Sequence, residues 1–160
     1  MGECAAARLP ARNIARGFLG APVAIGAVGY LSFASGIPLV LGSFGASCVL
    51  LFSFPDNPFS QPRNVIGGHF LCTLTGLVCL FLFGSTWWSV ALALATAIAV
   101  MHLTRTVDPP AGSNPVIVML TVPGWGFLFT PTLVGALILV LTALLFNNAD
   151  RTAKYPRYWI

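Results

Sequence analysis

The residues of this chain with chemistry to offer are mostly neutral hydrogen-bond donors, set at two turns. Gly45, Ala46 and Ser47 open the apolar run GASCVLLF, and Gly112, Ser113 and Asn114 open a second, GSNPVIVML. A helix N-terminus presents unpaired N–H groups and about half a positive charge, so two such ends facing each other bind a small anion without a charged side chain. Ser47, Ser113 and Asn114 add hydroxyl and amide donors, Gly45 and Gly112 let backbone approach the ion, and Pro115 suits a first helical turn. His69 stands inside another apolar run, where a polar residue either serves transport, as donor or proton carrier, or makes an interhelical hydrogen bond. Asn64 caps its helix or lines the vestibule to this site. Arg63 and Arg105 flank the apolar runs, as an anion-attracting pore mouth or as topology signals. A carboxylate repels an anion, so Asp108 is expected to cap a helix or pair with Arg105.

Enzyme chemistry finds no support in these residues. There is no nucleophile–base pair, metal-ligand set or phosphate loop, so neither catalysis nor a cofactor is expected. Cys4, Cys48, Cys72 and Cys79 lack metal-ligand spacing and read as small residues packed between helices.

The elements that must position these groups are membrane spans. The chain is 57% hydrophobic and only 8% charged, with a mean hydropathy of +0.87, too few charges to cover a soluble surface. Stretches 17–55, 64–104 and 109–149 contain no charged residue. Forty helical residues reach about 60 Å, twice a hydrocarbon core of about 30 Å, so each stretch is a helical hairpin. The expected segments are 18–33, 39–54, 64–83, 87–104, 115–123 and 130–146, giving an all-α, polytopic helical bundle of about six spans. With the N-terminus inside, all eight basic residues fall on one face, as the positive-inside rule asks. Four spans, with segments two and five dipping in and returning, would put Arg63 and Arg105 outside. The net charge of +4 is thus a topology signal, and no nucleic-acid partner is expected. Both termini are expected in the cytoplasm of a cell whose inner membrane holds the chain, the bacterial case being favoured because no transit segment precedes Phe18.

Two halves of three segments each must sit upside down relative to each other. Pro62, Val65, Phe70 and Thr73 recur 69 positions later as Pro131, Val134, Leu139 and Thr142; upstream, an offset of 67 carries Gly45 to Gly112 and Val49 to Val116. The expected organisation is one transmembrane domain: a basic segment 1–16, a first repeat 17–84, a second 85–147 and a basic tail 148–160. Its second and fifth segments are short or interrupted, as at a transporter's binding site, which places that site near the midplane. Such a thin bundle is expected to form a homo-oligomer in the bilayer.

RTVDPPAGSNPVIVML together with GASCVLLFSFPDNPFSQPRNVIGGH resembles the HPP family of small integral membrane proteins. The family carries a His-Pro-Pro-Ala-Gly signature and a Gln-Pro-Arg-Asn segment ending in Gly-Gly-His. Gln61 to His69 matches the second; in the first, Asp108 stands at the family's His. The resemblance implies transport of a small inorganic anion, nitrite, and leaves nitrate, formate or another weak acid, or a non-transporting scaffold, as the alternatives.

Overall fold

The computed structural model describes residues 9–149 and 154–159. Arg8, Arg151 and Cys4 lie outside them. The described residues form six α-helices and no strand: α1 (Ala11–Ser35), α2 (Gly42–Cys48), α3 (Pro62–Phe83), α4 (Trp87–Thr104), α5 (Asn114–Thr121) and α6 (Val134–Ala149). Helix α2 runs on into a π-helical turn, Val49–Ser53. A 3-10 turn, Pro109–Ser113, leads into α5, and two turns, Trp125–Leu128 and Phe129–Leu133, lead into α6. Among the described residues, four helical stretches are long and apolar enough to cross a membrane: Ala11–Ser35, Pro62–Phe83, Trp87–Thr104 and Trp125–Ala149.

Local chemistry sets the boundaries. Pro62 opens α3 at a position that needs no N–H, and Thr86 and Ser89 form a reciprocal capping box at the start of α4. Gly36 ends α1 in the left-handed conformation, at φ 69°. Helix α1 begins seven residues before the expected segment and carries Arg12 and Arg16 in its first turns.

Hydrogen bonds between distant residues fix which helix ends lie together. Asn13 donates to the Ser53 carbonyl at 3.0 Å, Arg63 to that of Thr104 at 3.0 Å, Asn147 to that of Leu51 at 3.0 Å, and the Tyr155 hydroxyl to that of Ser60 at 2.8 Å. The start of α1, the end of segment two, the start of α3 and the ends of α4 and α6 therefore share one end of the bundle. That end also carries Arg63, Arg105 and Arg157. At the opposite end, Ser85 between α3 and α4 donates to the Met119 carbonyl near the end of α5, at 2.7 Å. Each segment thus runs opposite to the one before it, and α4–α5–α6 runs opposite to α1–α2–α3 element by element.

Segments two and five cross despite their short helices. Leu39 N–H donates to Ser32 Oγ at 3.1 Å and Asn13 to the Ser53 carbonyl at 3.0 Å, so segment two runs alongside the nineteen residues of α1 between these contacts, about 28 Å. In segment five the 3-10 turn gives about 10 Å and α5 about 12 Å before the chain continues through residues 122–124. Both lengths are comparable with a hydrocarbon thickness of about 30 Å.

The largest apolar core joins α1, α2 and α6 through Ala24, Val28, Phe44, Leu51, Phe52, Leu139 and Ala143. Helix α3 is the hub of the other half, packing on α4 and α5 through Cys72, Leu77 and Cys79. The buried Cys48, Cys72 and Cys79 are free thiols within these cores. After α6 the chain returns to the charged end. There Tyr155 is buried, the Arg157 backbone N–H donates to the Gln61 side chain at 2.8 Å, and its guanidinium pairs with Asp56 at 2.6 Å.

Candidate functional site

Helix α3 builds the centre of the site because His69 and Thr73, four residues apart, share one helical face. Both are fully buried. Gly68 and Gly76 on the same helix let the chain of segment five come close. A methyl group on Gly68 would lie 2.7 Å from the Asp108 Cβ and 3.0 Å from the Thr106 carbonyl, and one on Gly76 2.9 Å from the Pro115 Cα.

Around the imidazole stand three side chains from other elements, each with no exposed surface. Ser47 Oγ from the second turn of α2 is 3.0 Å from His69 Nε2, and Asp108 Oδ2 is 3.3 Å from the same nitrogen. Asn114 Nδ2, on the first residue of α5, is 3.0 Å from His69 Nδ1. The same amide donates to Thr73 Oγ1 at 2.9 Å, and Thr73 meets Thr132 at 3.3 Å. Phe44 closes the ring's edge at a centroid separation of 5.1 Å. With the Asn114 amide nitrogen turned to the ring, Nδ1 accepts and the imidazole proton is assigned to Nε2, toward Asp108 and Ser47. Asp108, His69, Asn114, Thr73 and Thr132 form one continuous polar string inside an apolar bundle.

The string is not fully satisfied. Asp108 Oδ1 and Asn114 Oδ1 are buried without a hydrogen-bond partner, as is Ser43 Oγ one turn before Ser47 on α2. A buried polar atom left unpaired costs about 1–3 kcal/mol, and such atoms mark places where a further group belongs.

The structure rearranges the candidates taken from the sequence. Ser47, His69 and Asn114 come together. Ser113 does not: it is exposed, and its hydroxyl donates to the Pro110 carbonyl at 2.9 Å. Gly45 and Ala46 are exposed on the outer face of α2. A Cβ on Gly45 would meet nothing within 4 Å and one on Gly112 only the tip of Met101 at 3.9 Å, so neither glycine serves close packing against another segment of the chain. Asn64 neither caps α3 nor lines a vestibule. Its amide donates to the Val107 carbonyl at 2.8 Å, pinning the 105–108 linker to α3. Arg63 and exposed Arg105 lie together at the charged end, the former holding the Thr104 carbonyl.

The expected pair of facing helix ends is replaced by a different geometry. The 3-10 turn from Pro109 leads directly into α5, so Gly112 to Asn114 lie within a helical run whose N-terminus is already capped. The cap is Asp108, whose carboxylate accepts from the Ala111 N–H at 3.2 Å. The carboxylate expected to stay clear of the site is thus in it, reached through its cap position rather than by pairing with Arg105. The centre also lies nearer the charged end than the middle of α3. Ser47 is six helical residues from Ser53 and His69 seven from Pro62, about 10 Å from the charged end, with Thr73 one turn deeper.

Thr73 and Thr132 escaped notice in the sequence, where threonine is unremarkable on a membrane helix. The signal for Thr73 was its four-residue spacing from His69. The 67-residue offset held a stronger one, since it carries Ser47 onto Asn114, the two residues that bracket the imidazole at its opposite nitrogens. Among the described residues no group of three or more His, Cys, Asp or Glu side chains is placed to hold a metal ion.

Comparison with known proteins identifies relatives for the whole bundle. The family model described as HPP, transmembrane region, matches residues 6–156. Two transmembrane proteins of Dictyostelium discoideum are similar to it: one is 40% identical over 129 residues, 76% of this chain and 45% of the relative, and the other 37% identical over 128 residues, 75% and 41% respectively. The chain therefore spans less than half the length of these relatives. No solved structure matches.

Proposed function

The chain belongs to the HPP transmembrane family, and on that footing we propose that it carries a small inorganic anion, nitrite, across the membrane it spans. The observation that carries this reading is the buried polar string. Interhelical hydrogen bonding alone favours fully paired groups, whereas Ser47, His69, Thr73, Asp108, Asn114 and Thr132 are buried together with Asp108 Oδ1 and Asn114 Oδ1 unpaired, which suits a solute path. The two half-length helices that flank the string belong to the same pattern, one found at transporter binding sites.

Ser47, His69 and Asn114 are the groups that would hold the anion. They offer hydroxyl, imidazole and amide donors with no guanidinium or ammonium beside them, which suits an ion that must leave again. Arg63 and Arg105 at the charged end would raise the local anion concentration. By the positive-inside rule that end is cytoplasmic, and the bundle works as a homo-oligomer in its membrane.

The test is nitrite uptake into proteoliposomes holding the purified full chain, with nitrate, chloride and formate as competitors. Saturable uptake is expected, reduced by about 2 kcal/mol of lost binding, roughly thirtyfold, in Ser47→Ala, and unchanged in Ser113→Ala. Nitrite uptake no faster than in protein-free vesicles would overturn the proposal.

A further inference from the structure

Building on the transport reading, we infer that the site takes up one proton with each anion it binds, and that Asn114 is the positioning residue that links the two. A bare anion held by Ser47 and Asn114 would sit beside the buried Asp108 carboxylate, which pairs with no lysine or arginine among the described residues. The imidazole between them is the group that can supply the missing charge.

The hydrogen bonds show how. Asn114 Nδ2 donates to His69 Nδ1 and to Thr73 Oγ1, and Asn114 Oδ1 has no partner. A proton arriving from solution bonds to Nδ1 and turns that nitrogen from acceptor to donor. Asn114 must then rotate its amide and present Oδ1 to the new N–H. Its orphaned acceptor gains a partner, and the Nδ2 group swings to the side that Oδ1 leaves. Its two N–H donors, one released from the imidazole and one from Thr73, then face the side that Oδ1 left while Thr73 Oγ1 turns to donate to Oδ1, and the anion binds to the freed donors. Imidazolium and carboxylate sum to zero, so the site with anion and proton carries the same net charge as the site with neither. Release of the anion and loss of the Nδ1 proton reverse each step.

The surrounding elements hold little else that titrates. Helix α2 contributes Ser47 and Phe44, α5 Asn114, the turn before α6 Thr132, and α4 Ala97 and Met101. Cys72 on α3, near Asp108, is the other titratable group in contact. His102 on α4 is exposed at the charged end, away from the string.

The mechanism requires nitrite movement to be electroneutral. In proteoliposomes whose potential is set by a potassium gradient, the protein-dependent rate should be the same at either sign of the potential. An inside-alkaline pH gradient should drive accumulation, about tenfold per pH unit at equilibrium. Because undissociated acid crosses bilayers unaided, the protein-free rate is subtracted throughout. Uptake driven by an inside-positive potential and indifferent to the pH gradient would overturn the coupling and leave transport intact; no protein-dependent uptake would overturn both. A second measurement reads the site itself. In full chain carrying His102→Gln, the imidazole 15N shifts of His69 should report a proton on Nε2 alone without nitrite and on both nitrogens with it. The change should be lost in Asn114→Leu and kept in Ser113→Ala. Nitrite binding that leaves the ring singly protonated, or Asn114→Leu that still couples the two, would overturn the role assigned here.

Discussion

A methyl group placed on Gly68 would be felt more than almost any other single change. Its neighbours there are the Asp108 Cβ and the backbone carbonyl of Thr106, neither of which can swing aside as the end of a long side chain can. Gly68→Ala should cost about 1–3 kcal/mol and push Asp108 off the imidazole, lowering the thermal midpoint in detergent and nitrite uptake together. Gly45→Ala, which meets open space, should leave both unchanged or raise stability by up to about 1 kcal/mol through helix propensity. A polar side chain in an apolar run is conspicuous, and for that reason His69, Ser47 and Asn114 could be read from sequence. What could not be read is the direction a side chain takes. Ser113 and Asn114 are adjacent, about 100° apart around a helix, and only one of them can face α3. Asp108 caps a helix as its sequence position indicates; its contact with His69 depends on the close approach at Gly68, which no local pattern displays.

Among the elements, the tail after α6 contributes more than its basic character indicated. Tyr155 inserts its ring into the core beside α6 and its hydroxyl holds the Ser60 carbonyl, so residues 155–159 fasten the loop that leads into α3. Tyr155→Phe removes one buried hydrogen bond, worth about 1 kcal/mol, and should raise tryptic cleavage after Arg157 roughly fivefold. Burial pushes the Tyr155 phenol above its ordinary value, so the docked tail holds that proton more firmly than the free tail does. Docking strength should therefore be constant up to the ordinary tyrosine range, about pH 10, and fall as pH rises beyond it, a decline that Tyr155→Phe abolishes. Protease sensitivity against pH is the measurement. Element boundaries at Gly36, Pro62 and Thr86 follow from caps that a sequence displays. The early start of α1 did not, because Arg12 and Arg16 mark where hydrocarbon ends and not where the helix does. The docking of the tail was equally out of reach, since it depends on partners about a hundred positions away.

For the molecule as a whole, the hydrogen bonds that gather five helix ends at one face imply six crossings. Cysteines introduced at Phe59 and at Gly124, in a chain without its native cysteines, should react with impermeant reagents from opposite sides. Labelling of both from one side would remove the topology. The run of charges carried this information in the sequence, because eight basic residues fit one face under one count of spans. The helical half-spans, by contrast, were visible only as interruptions. The non-helical residues 36–41 and the 3-10 turn at Pro109 that complete their crossing have no periodicity to show.

One last consequence follows from the depth of the site. His69 lies about a third of the way through the hydrocarbon from the charged end, so a lone ion entering from that end traverses about a third of the membrane voltage and one from the far end about two-thirds. For an uncoupled anion, the two faces of the membrane would then see different apparent affinities, diverging as the cell polarises. An anion that travels with a proton carries no net charge through either part of the field. Its affinity at each face would stay fixed while the voltage changes, and an off-centre site would cost the protein nothing.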